Sequence, residues 1–331
     1  MLRAAALLVA TIIAALAAGC GGGPGGETGP AGAAGGPFPV TIAHRYGQTV
    51  IAAEPRRVVS LGLQEHDSIL ALGVTPVAVR YWYGDRDEVI RPWARAAAGD
   101  ADPEVLEMPF DDLDVERIAA LRPDLILGVY SGMTEEDHRR LSRIAPAVAQ
   151  PGEYDFGVPW QVMTRTAGRA LGREERAERL VAELEAGFAD LRERHPHRAD
   201  RTLVVATHRG DGYSAFASED PRSRFFRDLG FRIPGEVDRL AGDSFFVELS
   251  RERARLLDRD VLVWDQIALT PGGRATIEGD PLVRGLGVTR EGRSVFLEGE
   301  LEDAFGWNTV LSIPAVLDGV VPLLERAAPA P

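Results

Sequence analysis

The stretch VRYWYGDRDEVIRPW, residues 79–93, gathers Tyr81, Trp82, Tyr83 and Trp93 in a chain that is only 7% aromatic. Arg80, Arg86 and Arg91 lie among them, with Asp85, Asp87 and Glu88. Aromatic faces bury apolar surface with little loss of side-chain freedom, and guanidinium groups meet anionic oxygens. Such a set binds; it does not by itself make or break bonds. Neighbouring strand residues face opposite ways, so three successive aromatics cannot all enter one core. Part of this surface is therefore either on the outside or lining something.

The pattern recurs after other apolar runs. Tyr130 and Ser131 follow DLILGV; His208, Arg209 and then Tyr213 follow TLVVAT. Trp264 and Asp265 follow DVLV, and Phe305, Trp307 and Asn308 follow SVFLE. Phe245 and Phe246 precede VELS. In open α/β sheets ligands sit beyond the carboxyl ends of the strands. The expected ligand-facing residues are therefore Arg80, Trp82, Tyr83, Tyr130, Arg209, Tyr213, Phe245, Trp264 and Trp307. Trp82 or Tyr83 is expected to face the ligand, with Tyr81 turned away. Trp93 and Trp160 lie in helical segments and are expected to pack in the core.

Catalytic signatures are missing from the sequence. GVYSGM is G-x-x-S-G and not G-x-S-x-G, and there is no GxxxxGK[ST] and no HExxH. The six histidines are scattered and the one cysteine spells neither a disulfide nor a metal set. His66 and His208 follow strands; His66 or Tyr130 would be the ligand if haem were bound. The expectation is a binding protein, not an enzyme, with no resident metal.

The elements that must position these residues follow from periodicity. RRVVSLGL, TPVAVRY, DLILGVY, TLVVAT, RDVLVWD and SVFLE read as strands, and TIAHRYGQTVIA as a hairpin turning at Gly47-Gln48. DSILALG, DLDVERIAALRP, TEEDHRRLSRIAP and PRSRFFRDLGF read as helices, so βα units and a largely parallel sheet are expected. One helix runs from Pro159 to Leu171. A longer one runs from Arg173 to Arg194, with Ala177, Leu180, Val181, Leu184, Phe188 and Leu191 at helical spacing. A last helix is expected from about Asn308 to Glu325. LDVERIAALRPDLILGV, from Leu113, echoes LSRERARLLDRDVLVWD, from Leu249: Glu116 matches Glu252, and Asp124 matches Asp260. The echo and the long helix between favour two similar α/β lobes.

A net charge of −13 argues against nucleic acid and against an electrostatic hold on anionic lipid. All 37 basic residues are arginine, so arginine abundance marks no one site. MLRAAALLVATIIAALAAGC reads as a secretory signal. Its end is similar to the bacterial lipoprotein processing site, although Leu16 stands one position early. The resemblance implies cleavage before Cys20 and a lipid on its sulfur. GGGPGGETGPAGAAGGPFP then reads as a tether of roughly 20–25 Å.

From about residue 40 to 326 the chain resembles the iron–siderophore periplasmic-binding-protein family, the class III type with a helical backbone. The carrying segments are EPRRVVSLG, HDSILALGVTPVAV, VERIAALRPDLILGVYSG, LSRIAPAVAQ, TRTAGRALGREERAERLVAELE and LAGDSFFVELSRERARLLDRDVLVW. The resemblance implies two Rossmann-like βα lobes joined by one long rigid helix, with ligand in the cleft between them. It implies a ferric siderophore as ligand, with haem, cobalamin or a metal ion as alternatives, and an α/β enzyme as a remote one. It implies delivery to an ABC permease, docking through Glu116 and Glu252, and a monomer anchored by lipid on the extracytoplasmic face. The expected division is signal 1–19, Cys20 and tether 20–38, N-terminal lobe 39–172, linking helix 173–195 and C-terminal lobe 196–328.

Overall fold

The computed structural model describes residues 37–109, 112–152 and 156–330. The signal, Cys20 and most of the tether lie outside the described residues. An antiparallel ribbon pairs β1 (Val40–His44) with β2 (Gly47–Ile51). Its turn is Arg45-Tyr46, two residues earlier than expected. His44 pairs with Gly47, whose φ of +119° favours a residue without a side chain. Phe38, expected in the tether, instead packs partly buried against the core of the N-terminal half.

The N-terminal half is built on β3 (Val58–Ser60), β4 (Ala78–Arg80), β5 (Glu104–Leu106), β6 (Leu125–Gly128) and β7 (Ala147–Ala149). Their spatial order is β5-β4-β3-β6-β7, and every pair is parallel. The C-terminal half is built on β8 (Leu203–Arg209), β9 (Gly212–Phe216), β10 (Phe246–Ser250), β11 (Val261–Trp264) and β12 (Ser294–Phe296). Its order, β10-β9-β8-β11-β12, repeats the first. The directions differ: β8 and β9 form a tight hairpin about Gly210-Asp211, and β9–β10 is antiparallel too. GYSAF gave no strand signal of its own, because a five-residue run after Gly-Asp-Gly reads as loop.

The linking helix spans Glu174–Arg194, about 32 Å at 1.5 Å per residue. Its apolar stripe serves both cores. Ala177 belongs to the N-terminal cluster, whereas Val181, Phe188 and Leu191 belong to the C-terminal one. Burying each such large side chain contributes roughly 1.5–3 kcal/mol, so the helix is anchored at both ends. A second junction is polar and buried: Thr309 donates to Asp67 Oδ2 (2.5 Å), and Trp93 Nε1 donates to the same oxygen (2.8 Å).

The expected last helix is present over Ser312–Ala327, and a further helix over Glu300–Trp307 precedes it, capped by Asn308 in the left-handed conformation (φ 49°). Asparagine tolerates that conformation better than most residues. The internal echo holds in part. Asp124 accepts from the Arg56 and Arg57 backbone N–H groups, as Asp260 accepts from Thr202 N–H. Each aspartate ties the start of its strand to the neighbouring one. The helix before each differs, α-helical over Val115–Ala120 and 3-10 over Arg251–Leu257.

Candidate functional site

The carboxyl ends of β3, β6, β8 and β11 carry residues from both halves onto one cavity of about 320 Å³. The N-terminal half contributes Leu63, Gln64, Trp82, Tyr130 and Phe156. The C-terminal half contributes Arg209, Phe216, Asp220, Arg222, Phe245, Phe246, Gln266, Phe305 and Asn308. Two glycines allow the walls to close up. A Cβ on Gly132 (φ +65°) would meet the Phe156 ring, and one on Gly157 (φ +132°) would meet the Phe245 ring across the cleft.

Of the nine residues expected to face ligand, Trp82, Tyr130, Arg209 and Phe245 line this cavity. Tyr83 and Trp307 stand behind Trp82, with ring centroids 4.7 Å and 5.1 Å from it. Arg91 covers the Trp307 ring at 4.6 Å. Trp307 is buried and backs the wall; Tyr81 turns away and donates to Gly84 O (2.7 Å). Trp93 and Trp160 pack against the core as expected from their helical segments.

Three residues are corrections. Arg80 is 1% exposed and donates to the carbonyls of Pro109 (2.9 Å) and Ser131 (3.3 Å), so it braces loops behind the cavity wall. Trp264 is the last residue of β11 and is fully buried with Leu262 on the sheet face away from the cavity. The next residue, Asp265, falls on the other side and reaches Arg222, as strand alternation requires. Tyr213 lies inside β9, in a hairpin and not in a strand-end loop, and donates to Asp280 Oδ2 (2.7 Å). His66 is 0% exposed and cannot reach a ligand; His208 is held against Asp280 at 3.3 Å.

Gln64, Phe156, Asp220, Arg222 and Gln266 were missed. Gln64 and Gln266 directly follow the strands RRVVSLGL and RDVLVWD but are not themselves aromatic; Phe156, Asp220 and Arg222 follow no recognised strand, and Arg222 sits in a helical pattern that reads as a solvated face. Arg222 donates to Asp265 (2.8 Å) and Asp220 (3.2 Å), and its guanidinium lies 4.4 Å from the Phe216 ring centroid. Burial works against its charge, but the two carboxylates outweigh it and hold it firmly protonated. Burial pushes the Tyr130 phenol up to about 12, which keeps it neutral and a poor phenolate ligand for haem iron. No Ser, Thr, Cys, Lys or His stands among the described residues lining the cavity. Also among the described residues, no group of three His, Cys, Asp or Glu could hold a metal ion, and no helix is long and apolar enough to cross a membrane.

Glu116 and Glu252 are both exposed, each in the first turn of its helical segment. The side chain of Ser250 bonds to Glu252 and holds its carboxyl below the usual range.

A family model described as "Periplasmic binding protein" matches residues 58–301. A periplasmic solute-binding protein of Mycobacterium smegmatis superposes with a TM-score of 0.77 at 32% identity, over 87% of this chain and 98% of that one. Streptococcus pneumoniae PiaA, solved in complex with ferrichrome, gives 0.72 at 27% identity, over 87% and 98%. The Fe(3+)-citrate-binding protein YfmC of Bacillus subtilis is 25% identical over 219 residues, which is 65% of each chain.

Proposed function

This chain belongs to the periplasmic binding protein family, and we propose that it captures a ferric siderophore outside the cytoplasm and delivers it to an ABC permease for iron uptake. The observation that carries the reading is the cavity at the strand ends of two sheets, walled by aromatics from both halves and holding two arginines. Trp82, Tyr130, Phe156 and Phe245 would clamp the organic shell of the chelate, and Arg209 at the rim would face its oxygens. Iron is carried by the ligand and needs no protein ligand. Binding, not catalysis, is the proposed task.

The remaining assignments rest on the sequence and on exposure. Glu116 and Glu252 would meet cationic residues of the permease, one from each lobe. Cys20 would carry the lipid that anchors a monomer to the outer face of the cell membrane, through a tether over 20–38 after loss of the signal 1–19. The lobes would be 39–172 and 196–328, joined by the helix over 173–195. Tryptophan fluorescence titration with a panel of iron-loaded siderophores tests the binding role, because Trp82 lines the cavity and Trp307 stacks behind it. Quenching by at least one chelate is expected; no response across the panel sinks the reading.

A further inference from the structure

We infer that the cavity selects a ferric chelate with an uncharged iron centre, a ferric trihydroxamate, over a tricatecholate or a polycarboxylate. The inference rests on the siderophore reading and narrows it. The first observation is charge. The charged side chains lining the cavity are Arg209, Arg222 and Asp220, and Asp265 stands directly on Arg222, so two positive charges face two negative ones. Arg222 is already committed: Nε goes to Asp265, Nη1 to Asp220, and its flat face to Phe216. Among the described residues Arg209 pairs with no carboxylate, but it is an exposed rim residue bonded to Ser214 Oγ at 3.3 Å. Arg80, which would have added a third cation, is turned into the wall.

Three hydroxamates, each singly charged, balance a ferric ion. Three doubly charged catecholates leave the complex a trianion. Moving a trianion into an aromatic cavity of zero net charge strips its hydration and returns little attraction. The aromatic faces are themselves electron-rich and repel anionic oxygens laid against them. A neutral chelate avoids both penalties and keeps the full gain of its buried apolar surface.

The second observation is polar lining that carries no charge: the side-chain amides of Gln64, Gln266 and Asn308 line the cavity, and such groups suit an uncharged ligand better than a trianion.

The test is calorimetry on the protein at fixed pH and moderate salt with three probes: ferrichrome, the ferric complex of a synthetic tricatecholate, and ferric citrate. Ferrichrome should bind at least about 100-fold more tightly than either of the others. Its Kd should change less than about twofold when the salt concentration is raised tenfold, because no net charge is neutralised. A tricatecholate or citrate complex that binds as tightly as ferrichrome overturns the selection while leaving siderophore capture intact. A steep salt dependence for ferrichrome also overturns it. No heat with any of the three overturns the selection together with the function beneath it.

Discussion

The two halves share a strand order, yet only the C-terminal half breaks the parallel rule with the β8–β9 hairpin. In the N-terminal half each strand leads to a loop at the same sheet edge, so strand-end residues such as Trp82 and Tyr130 reach the cavity. In the C-terminal half the chain doubles back at once. Tyr213 is drawn into the sheet, and the cavity wall is made instead by Phe245 and Phe246 at the start of β10 and by Asp220 and Arg222 at a helix start. Identical strand order therefore does not deliver equivalent side chains; strand direction decides which end of each strand faces the ligand. The halves also differ in polarity. The N-terminal wall is mostly aromatic and amide, whereas the C-terminal wall holds a buried ion cluster.

That contrast can be broken most directly at Arg222. Arg222→Gln leaves Asp220 and Asp265 buried without their cation and should destabilise the protein by about 3–5 kcal/mol. Denaturant unfolding would measure it, and a loss under about 1 kcal/mol would remove the ion cluster as the feature that distinguishes the C-terminal wall.

The next largest effect separates the halves by pH. Asp280 is held down to about 2 by hydrogen bonds from Tyr213 and Arg251, which outweigh its desolvation. Its folded value lies below the unfolded one, so its stabilisation is present above about 3.9 and lost as pH falls through about 2. Glu65 is pushed up to about 7 by burial, although Gly62 and Tyr130 N–H groups donate to it. Its folded value lies above the unfolded one, so its contribution is present below about 4.3 and lost as pH rises through about 7. Stability profiles should show Asp280→Asn flattening the acid limb and Glu65→Gln flattening the slope from about 4.3 to 7, each on the order of 2 kcal/mol. Matching profiles for the two variants would erase the contrast.

A smaller effect sharpens what the halves share. Asp124→Ala and Asp260→Ala each remove charge-assisted bonds to a backbone N–H, and should cost about 1–2 kcal/mol in chemical unfolding. The loss at Asp260 should be the greater, because its bonds are part-buried and those of Asp124 are exposed. The smallest effect on stability is expected at the exposed pair. Glu116→Arg with Glu252→Arg should change unfolding by no more than about 0.5 kcal/mol and leave ligand affinity unchanged, while abolishing uptake in cells. Undiminished uptake would remove the docking role.

Much of the frame was legible because periodicity is local. The apolar stripe from Ala177 to Leu191 announces a long amphipathic helix wherever it packs. The Asp124–Asp260 echo likewise reflects one repeated way of pinning a strand. The cavity was legible at Trp82 and Tyr130, aromatics that follow parallel strands, at Arg209 at the end of β8, and at Phe245 just before β10. It failed at Tyr213, where a hairpin intervened, and at Trp264, where one residue of register sends the ring to the opposite face.

The sequence by itself determined the two α/β halves, the helix that joins them and the aromatic, carboxylate and arginine stock from which a cavity could be built, because these depend on spacing along the chain. Only the tertiary structure decided which of them meet. Arg80 turned into the wall, Arg222 bound between Asp220 and Asp265, and Phe245 set against Gly157 are contacts across long sequence separations. They are set by strand direction and close packing, and no local pattern encodes them.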